Sequence, residues 1–525
     1  MPGKVYLVGA GPGDPGLITL RGQDCLARAQ VVYYDYLVNP LILEMAAPDC
    51  QKICLGKHGS GRQLRPEESG TPPAPSAGQR LWSQAEINAA LVEQALAGKT
   101  VVRLKSGDPL IFGRLAEECA ALAAHDIPFE IVPGITAAWA AASYAGVFVT
   151  QRQYASAVAL VTGHEQEDKS QPGVDYKALA HFPGTLVYYM GVTRVAEWSG
   201  ALLTGGKSPT TPVVVIRRCA WPDQQTWTTT LEHVADFVKQ RELRPPVLCI
   251  VGEVAAAREQ ASWFAARPLF GRRILVTRPA DQAADLVKLL ADQGADCAVQ
   301  PLIQILPPPD LAALDQAICA LATEQYAWIA FSSANGVRYF CERLWQLGHD
   351  ARAFGKTKIA AIGPATGAAL GHWHLKGDVM PDTYEASAMA GAIIQAAGGQ
   401  LADARCLLVR ASRGREVLAE QLAAAGGKIE QIVVYESRDL DQPDPQIATD
   451  LSEGKFDWMT ITSSAIARAA ARLFGSALRQ TRLVSISPLT SAVLAELGYP
   501  AALTANEATM PGIVRALVEG VKVAG

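Results

Sequence analysis

The chain has 525 residues, a formal net charge of −4 and a pI of about 6.1. This length predicts two or more domains with large cores, and the charge balance excludes a global basic field of the kind that binds nucleic acid or anionic membranes. The ten cysteines form no C-x-x-C pair, which favours free thiols. His372 and His374 lack the companion ligands of a metal site, so we expect no metal. With neither a leader peptide nor a long apolar run, a soluble cytoplasmic protein is expected.

The first motif is the glycine-rich loop in VYLVGAGPGDPG, residues 5–16, which satisfies the pattern G-x-G-x-x-G. Dinucleotide binding requires a helix directly after such a loop, because the pyrophosphate binds at the helix N-terminus. Pro15 has no N–H to donate and disfavours helical geometry at the residue before it. We therefore expect the helix to begin near Thr19, and the loop fits a nicotinamide or flavin cofactor poorly.

Apolar runs of strand length alternate with helical stretches along the whole chain, which predicts an α/β architecture with mostly parallel sheets. A Pro-, Gly- and Ser-rich stretch at 59–80 is predicted to be a mobile loop. A domain boundary is expected near residue 268, where a new strand follows a helical tail. In the first half, turns follow strands at 106–109, 133–134 and 190–191. Together they expose main-chain groups along one sheet edge, which suits a flat ligand.

The first half resembles the tetrapyrrole methylases, most closely uroporphyrinogen-III C-methyltransferase. The resemblance rests on VGAGPGDPGLITLRG, VVYYDYLV, RLKSGDPLIFGR, VPGITAA, VTGH and YYMG, in that order. It implies a two-lobed methylase domain over residues 1–265, a homodimer, and S-adenosylmethionine bound between the lobes. The cofactor residues implied by the match are Pro12, Ser106, Gly107, Asp108, Ile111, Thr136, Ala137, Met190 and Cys219. Ser106 and Cys219 stand where the family usually has glycine.

The resemblance also implies side chains for catalysis and substrate binding. Asp35 matches the proton acceptor, Lys57 matches the proton donor, and Arg152 is the cation placed to bind substrate carboxylates. A positioned acid or base typically contributes about 10²- to 10⁴-fold to a rate. The alternatives are a loop carboxylate at Asp35 and a solvated lysine at Lys57.

The second half contains an internal repeat. WIAFSSANGVRYF at 328–340 matches WMTITSSAIARAA at 458–470, and each reads as a strand, adjacent serines and a helix. Downstream, Pro364 and Pro488 each open a helix within a Pro-x-Thr pattern, where hydroxyls can cap backbone N–H groups. The repeat predicts two similar α/β lobes with ligand-binding turns at their sheet edges.

Residues 270–525 resemble uroporphyrinogen-III synthase through ILVTRP, AFSSANGV, AIGPATGAAL, IVVYES and TITSSA. The resemblance implies two lobes joined by a two-stranded connector, with 271–306 plus 438–525 forming one lobe and 307–436 the other. Helix N-termini are anion sites, and the linear tetrapyrrole substrate carries eight carboxylates. The residues expected to face the cleft are Ser332, Ser333, Thr366, Ser463, Ser464 and Thr490, with Arg278, Arg410 and Arg413 supplying charge.

Tyr435 is the side chain predicted to assist departure of hydroxide in the second half, with core packing as the alternative. The hydroxyls named above are equally suited to ordinary helix capping. Taken together, the sequence predicts a fusion that makes uroporphyrinogen III and methylates it twice to precorrin-2, on the route to sirohaem or a corrinoid. Two alternatives remain: a second half that binds tetrapyrroles without cyclising them, and a methylase of a later corrinoid precursor.

Overall fold

The structure is a computed structural model that describes residues 2–56, 82–164, 173–257, 263–323, 325–413 and 416–524. Lys57 and the predicted loop at 59–80 lie outside the described residues. The strands are β1 (Val5–Gly9), β2 (Val31–Tyr34), β3 (Gln51–Cys54), β4 (Val101–Lys105), β5 (Phe129–Val132), β6 (Val158–Thr162), β7 (Thr185–Tyr189), β8 (Pro212–Arg217), β9 (Gln225–Thr230), β10 (Val247–Val251), β11 (Arg273–Val276), β12 (Asp296–Val299), β13 (Ile303–Leu306), β14 (Trp328–Phe331), β15 (Lys358–Ala361), β16 (Arg405–Ala411), β17 (Lys428–Asp439), β18 (Trp458–Ile461), β19 (Arg482–Ser485) and β20 (Leu503–Thr504).

Helices alternate with these strands. They are α1 (Leu20–Ala27), α2 (Pro40–Leu43), α3 (Gln84–Leu96), α4 (Leu115–Ala123), α5 (Ala137–Ala145), α6 (Tyr176–Ala180), α7 (Val195–Thr204), α8 (Val234–Gln240), α9 (Ala280–Asp292), α10 (Ala312–Ala322), α11 (Ala334–Gln346), α12 (Pro364–His372), α13 (Ala386–Ala396), α14 (Val417–Ala424), α15 (Pro445–Ser452), α16 (Ser464–Phe474), α17 (Pro488–Glu496) and α18 (Met510–Ala524). Among the residues described, no helix is both long and apolar enough to span a membrane.

The chain forms two compact units. The N-terminal unit comprises Met1–Arg272 with Ala291–Asp296, and the C-terminal unit comprises Arg273–Leu290 with Cys297–Gly525. Each unit contains two five-stranded sheets. The predicted α/β class is confirmed.

The first sheet of the N-terminal unit has the order β3-β2-β4-β1-β5 with parallel pairing throughout. Its central strands are buried on both faces, because Leu7 packs into one hydrophobic cluster and Val8 into another. Such two-sided burial is typical of parallel sheets covered by helices. Because the strands are parallel, the turns after β1, β2, β4 and β5 lie at the same sheet edge.

The second sheet has the order β6-β7-β10-β8-β9, and only β6 and β7 pair in parallel. β10 pairs antiparallel with both β7 and β8, and β8 pairs antiparallel with β9. The expectation of mostly parallel sheets is therefore wrong for this layer. β8 and β10 are buried along nearly their whole length. They therefore lack the alternation of buried and exposed residues that is typical of an antiparallel strand with one face in solvent.

The C-terminal unit repeats one strand–helix pattern in two sheets, ordered β12-β11-β18-β19-β20 and β13-β17-β16-β14-β15. We call these layers, with the helices that connect their strands, lobe A and lobe B respectively. β14 and α11 of lobe B correspond to β18 and α16 of lobe A, as the internal repeat predicts. β13 pairs antiparallel with the end of β17, from Glu436 to Asp439, where the chain returns to lobe A.

Candidate active sites of the two units

The glycine-rich loop after β1 does not lead directly into a helix. A single 3-10 turn follows at Pro15–Leu17, and α1 begins at Leu20 with Thr19 as its N-cap. The predicted helix start near Thr19 is confirmed. Asp14 caps the 3-10 turn by accepting from the Gly16 N–H at 2.8 Å and also accepts from the Tyr144 hydroxyl at 2.8 Å. The loop is thereby fixed to α5 rather than shaped as a phosphate cradle.

Three loops of the first sheet edge meet at glycine backbones. Gly11 and Gly107 exchange two main-chain hydrogen bonds, at 3.2 Å and 2.8 Å. A Cβ atom added to Gly134 would lie 2.3 Å from the Gly107 carbonyl oxygen and 2.7 Å from the Gly9 Cα. The turns after β1, β4 and β5 therefore approach more closely than any side chain would allow.

Asp108 fixes this arrangement of loops. One carboxylate oxygen accepts from the Leu110 N–H at 2.7 Å, and the other accepts from the Gly134 N–H at 3.0 Å. The side chain therefore joins the turn after β4 to the turn after β5. Within the described residues its hydrogen bonds go to backbone donors, which gives Asp108 a structural part in the predicted cofactor site.

Further contacts bring the second sheet to the same place. The Thr136 hydroxyl lies 2.6 Å from the Tyr189 hydroxyl, which also accepts from the Ala138 N–H. The Cys219 thiol contacts the Ala137 carbonyl at 3.9 Å, and burial raises the pKa of this thiol to about 12. Met190 directly follows Tyr189, has a positive φ of 52° and is 37% exposed. The residues implied by the resemblance thus converge on the junction of the two sheets.

Side chains outside the predicted set hold the carbonyl groups of the glycine loop. Trp221 Nε1 donates to the Pro12 carbonyl at 3.2 Å, and Asn39 Nδ2 donates to the Gly13 carbonyl at 2.7 Å. Neither Trp221 nor Asn39 follows from the loop motif, because each is distant from it in sequence. Ser106 lies beside the same edge, where its N–H is 3.4 Å from the Asp35 carboxylate.

Asp35 belongs to a cluster of four charged side chains. Its Oδ1 accepts from Arg103 Nη2 at 2.5 Å, and Arg103 Nε donates to Glu118 at 3.2 Å. Glu118 accepts in addition from Lys105 Nζ at 2.8 and 2.9 Å. We call Asp35, Arg103, Lys105 and Glu118 the buried charge cluster.

The electrostatics of this cluster are set by its burial. Arg103, Lys105 and Glu118 are at most 3% exposed, whereas the Asp35 side chain is 20% exposed. Burial lowers the pKa of Lys105, while Asp35 and Glu118 outweigh the burial of Arg103 and raise its pKa. Two cations face two carboxylates, so the cluster is balanced, and Asp35 is the member that solvent or a ligand can reach. Sequence analysis missed the other three, although an R-x-K strand followed by a Glu-containing helix is visible.

Arg152 lies in an exposed turn after α5, bounded by a bridge between Gln151 and Ala155. Within the described part of the chain, no ion pair to this side chain is found. Ile111 lies on the turn after β4 and donates its N–H to the Asp108 carbonyl at 3.2 Å. The predicted proton donor Lys57 is outside the described residues, so its position relative to Asp35 stays a prediction.

Of the four serines predicted in the C-terminal unit, two are helix N-caps and two are not. Ser333 caps α11 by accepting from the Gly336 N–H at 3.0 Å, and Ser463 caps α16 by accepting from the Ile466 N–H at 3.2 Å. Ser332 instead donates to the Val409 carbonyl at 3.1 Å. Ser464 is the first helical residue of α16. The two caps have nearly the same backbone dihedral angles, which confirms that they are equivalent in the repeat.

The two predicted threonines do not face an open cleft. Thr366 is 3% exposed and Thr490 is 2% exposed. Pro364 and Pro488 occupy the first helical turns as predicted, but the cap of α17 is Ser487 and the cap of α12 is Gly363. Proline sets the helix start in both cases, so the cap is the residue before it and the threonine two residues later is buried; Thr490 Oγ1 lies 3.2 Å from the capping Ser487 Oγ.

The predicted arginines also have partners. Arg410 donates to Glu416 and Gln431, each at 2.6 Å, and Arg413 donates to Asp439 at 2.6 Å. Arg278 has an unused hydrogen-bond donor, because its Nε is buried with no partner among the described residues. Burial also lowers the pKa of Arg278. Of the three, Arg278 is the one best prepared to bind an added anion.

Tyr435 lies on β17 and contacts residues at the start of α11 in lobe B. Its hydroxyl is 3.1 Å from Ser333 Oγ, and its ring stacks on Tyr339 with centroids 5.8 Å apart. Burial raises the pKa of Tyr435, which is 7% exposed. The side chain is thus both packed in the lobe B core and hydrogen-bonded at its tip.

Comparisons with known proteins agree with this division of the chain. Residues 4–235 match the family model of the tetrapyrrole (corrin/porphyrin) methylases, and residues 284–515 match that of uroporphyrinogen-III synthase HemD. A porphyrin biosynthesis protein HemD of Ruminiclostridium josui is 33% identical over 88% of this chain and 87% of its own length. The chain therefore belongs to the family of porphyrin biosynthesis proteins in which a tetrapyrrole methylase domain precedes a uroporphyrinogen-III synthase domain.

Other relatives match the first half. A uroporphyrinogen-III C-methyltransferase of Bacillus subtilis is 42% identical over 57% of this chain and 58% of its own. An S-adenosyl-L-methionine-dependent uroporphyrinogen III methyltransferase of Methanosarcina barkeri is 42% identical over 48% of this chain and 92% of its own. A crystal structure of uroporphyrin III C-methyl transferase from Thermus thermophilus is 35% identical, with a TM-score of 0.39, over 50% of this chain and 97% of that one. The chain spans about half the length of the Bacillus subtilis relative and of a Zymomonas mobilis siroheme synthase.

Proposed function

We propose that this protein is a bifunctional enzyme of tetrapyrrole biosynthesis. The C-terminal unit cyclises hydroxymethylbilane to uroporphyrinogen III with inversion of ring D. The N-terminal unit then methylates uroporphyrinogen III at C2 and C7 with S-adenosylmethionine, giving precorrin-2. The observation that carries the proposal is the convergence of the loops after β1, β4, β5, β7 and β8 beside Asp35, which is the exposed member of the buried charge cluster.

The loops around Gly107 fit S-adenosylmethionine. A Cβ added to Gly107 would meet only the Ala137 nitrogen, at 3.9 Å, so there is room between this turn and the N-terminus of α5. In this proposal the turns that carry Pro12, Ser106 and Ala137 hold the cofactor together with Met190, which is 37% exposed. When bound, S-adenosylmethionine supplies an electrophilic methyl group.

The chain's own contribution to methylation is alignment and proton transfer. A pyrrole carbon of uroporphyrinogen III is already electron-rich, so attack on a methyl group needs mainly orientation and exclusion of water. Arg103 Nη2 pairs with the Asp35 carboxylate at 2.5 Å, and a carboxylate is able to take up the proton that the macrocycle loses. Asp35 therefore acts as proton acceptor, and Arg152 binds a substrate carboxylate. Lys57 remains the proposed proton donor.

In the C-terminal unit, the protein holds a flexible and reactive substrate in the conformer that closes with one ring inverted. Arg278 binds a substrate carboxylate, and the partly buried helix starts at Ser333 and Ser463 favour further anionic groups. Tyr435 donates its proton to the departing hydroxide. Within the residues described, no group of three or more metal-binding side chains is found, and no step of this proposal uses a metal.

The test supplies the purified full-length protein with hydroxymethylbilane under anaerobic conditions, with and without S-adenosylmethionine. We expect uroporphyrinogen III without the methyl donor and a dimethylated dihydro-product with it, identified by absorbance, mass and isomer analysis. Uroporphyrinogen I alone would contradict the synthase assignment and leave the second half as a tetrapyrrole-binding module. Failure to methylate added uroporphyrinogen III, with activity on a later corrinoid precursor, would contradict the methylase substrate.

A further inference from the structure

The turn between β8 and β9, residues 218–224, contacts the glycine-rich loop after β1 through the Trp221 side chain. Trp221 Nε1 donates to the Pro12 carbonyl at 3.2 Å. A Cβ atom added to Gly13 would lie 2.4 Å from Trp221 Cδ1, so the indole occupies the space that a side chain at position 13 would need. Trp221 itself is 7% exposed. The indole therefore fixes both the direction of the Pro12 carbonyl and the path of the backbone at Gly13.

The backbone of this turn is held in a strained conformation. Arg218 and Ala220 have φ angles of 51° and 60°, in the left-handed region that residues other than glycine rarely adopt. Arg218 Nε donates to Asp223 at 2.7 Å, and the guanidinium carbon lies 4.3 Å from the centre of the Trp221 ring. Gln224 Oε1 accepts from the Ala220 N–H at 2.8 Å. Because strain of this kind persists only where surrounding contacts over-determine the conformation, these contacts hold the Trp221 side chain against the glycine-rich loop.

A second connection leads from the same turn back to the glycine-rich loop through α5. Gln224 Nε2 donates to the Tyr144 carbonyl at 3.1 Å, and the Tyr144 hydroxyl donates to Asp14 of the loop at 2.8 Å. The turn thus reaches the loop twice, directly through Trp221 and indirectly through Tyr144. The loop, the turn and α5 therefore form one closed ring of contacts.

The chain that follows the second sheet packs against this ring. We call residues 263–271 the linker segment; it belongs to the N-terminal unit. Phe264 is 2% exposed and packs against the Tyr144 ring with centroids 4.6 Å apart. The Gly271 N–H donates to the Pro222 carbonyl of the turn at 3.1 Å. The hydrophobic cluster around Phe264 includes residues of the loop, the turn, α5 and the linker segment: Leu17, Ala220, Tyr144 and Phe270. The family match of the methylase ends at residue 235, so the linker segment lies beyond it.

We propose that Trp221 is a positioning residue for S-adenosylmethionine, and that the linker segment is part of the cofactor-binding machinery because it holds the turn that carries Trp221. This inference rests on the proposed methylase function. The loop contains Gly11, Gly13 and Gly16, and a free chain has more backbone conformations at glycine than at any other residue. A loop that binds through main-chain groups loses this freedom either beforehand or on binding, and only the second loss weakens affinity. Trp221 and the linker segment restrict the loop beforehand.

The experiment compares variants of the full-length protein. Trp221→Phe keeps an aromatic ring beside Gly13 but removes the donor to Pro12, whereas Trp221→Ala removes both contacts. Phe264→Leu weakens the packing of the linker segment while keeping an apolar side chain in the cluster.

Trp227→Phe is the matched control. Trp227 lies on β9 and packs edge-to-face against Phe237 of α8, with ring centroids 6.0 Å apart. For each variant, isothermal titration calorimetry without tetrapyrrole gives the dissociation constant and the stoichiometry of S-adenosylmethionine binding. Steady-state methylation of uroporphyrinogen III gives kcat and the KM of each substrate.

We expect the dissociation constant of S-adenosylmethionine to rise about fivefold in Trp221→Phe, the effect of one neutral hydrogen bond. It should rise about twentyfold in Trp221→Ala, which also leaves a cavity beside the loop, and about threefold in Phe264→Leu. The KM of the cofactor should rise in parallel, while binding stoichiometry, the KM of uroporphyrinogen III and kcat at saturating cofactor should change little. In a Trp221→Ala background, Phe264→Leu should raise the constant less than it does alone, because the side chain through which it acts is gone. The Trp227→Phe control should match the unsubstituted protein.

Three outcomes would overturn the inference. The first is an unchanged dissociation constant in both Trp221 variants, including the case in which only the stoichiometry falls, since that would report a smaller folded fraction. The second is an equal rise in Trp227→Phe, which would assign the effect to a general loss of stability. The third is an equal effect of Phe264→Leu with and without Trp221, which would separate the linker segment from the turn. All three differ from failure of the proposed function, in which the unsubstituted protein binds no S-adenosylmethionine or binds it without methylating uroporphyrinogen III.

Discussion

In the N-terminal unit, Asp35 lies at the exposed end of a cluster of ionised side chains held within one parallel sheet and its covering helix. In the C-terminal unit, Tyr435 lies in the core of lobe B, and its hydroxyl is 3.1 Å from the neutral Ser333 hydroxyl. The ionic cluster is complete within its own layer, since Arg103 and Lys105 come from one strand and Glu118 from the next helix. The observed neighbours of Tyr435 are neutral, since its hydroxyl contacts Ser333 Oγ and its ring stacks on Tyr339.

This difference suits the two proposed reactions. Methyl transfer to a rigid macrocycle needs a proton acceptor that is already in place, and buried charges with balanced partners are costly to rearrange. Ring closure of a flexible chain needs an acid that acts once the substrate has been folded, and neutral hydrogen bonds of modest net strength can form and break during closure. In this chain, charged side chains support the proposed proton acceptor Asp35, whereas neutral side chains surround the proposed acid Tyr435.

The largest expected effect comes from breaking the ionic cluster. Glu118→Gln leaves Arg103 and Lys105 buried with one carboxylate between them, and we expect a loss of about 3 kcal/mol of stability in the N-terminal unit. Methyl transfer should fall at least tenfold because Arg103 no longer holds Asp35 in one orientation. Pulse proteolysis over a urea series measures the stability of this unit, and single-turnover methylation measures the rate.

The neighbouring Glu117→Gln is the matched control. Glu117 lies on the same helix but is 46% exposed and pairs with the exposed Arg114. Exposed pairs of this kind contribute about 0–1 kcal/mol, so stability and methylation should both stay close to the unsubstituted protein. Equal losses in the two variants would contradict the view that burial of the cluster is what matters.

A smaller effect separates the two caps of the internal repeat. Ser333→Ala and Ser463→Ala should each cost about 1 kcal/mol of stability, because each removes one N-cap hydrogen bond. Only Ser333 touches Tyr435, at 3.1 Å, so only Ser333→Ala should shift the product toward isomer I. Isomer analysis after complete conversion of hydroxymethylbilane makes the comparison, and the same shift in both variants would show that capping alone accounts for it.

The sequence predicted the secondary-structure elements better than the tertiary contacts between them. The alternation of strands and helices, the helix start near Thr19 and the repeat at Ser333 and Ser463 all follow from local patterns, because caps, prolines and periodicity act within a few residues. The antiparallel pairing of β10 does not follow, since strand order is decided by packing between distant segments. Side-chain burial is equally non-local.

In the candidate sites too, the sequence indicates residues that belong to local motifs but not residues whose role depends on a distant partner. A family resemblance picks out the loops around Gly107 and the tyrosine at 435, and the structure places the loop residues together. It does not pick out Arg103, Lys105 or Glu118, whose importance lies in which distant partner each one meets. The burial of Thr366 and Thr490 does not follow from the sequence pattern either, because a hydroxyl near a helix start can be buried or exposed; their role in substrate binding stays a prediction.

The smallest expected effect tests exposed charge in the same sheet that holds the buried cluster. Glu130 on β5 accepts from Lys4 at 2.8 Å and from Arg21 at 2.8 and 2.9 Å, and these hydrogen bonds lower its pKa from 4.5 to about 2. A carboxylate whose pKa is lower in the folded state contributes stability that is fully present above pH 4.5 and is lost as the pH falls toward about 2. Glu130→Gln should therefore lower the urea midpoint slightly at neutral pH and should flatten its dependence on pH across that acid range.

Glu197→Gln, at an exposed pair with Arg194 whose charged atoms are 3.6 Å apart, is the control and should keep the acid dependence of the unsubstituted protein. The Glu130 effect should also shrink in high salt, because exposed ion pairs are screened by added ions. The Glu118→Gln loss should persist under the same conditions, since a buried cluster is screened much less. If salt reduced both losses equally, the buried cluster would behave as a surface network, and its role in holding Asp35 preformed would fail with it.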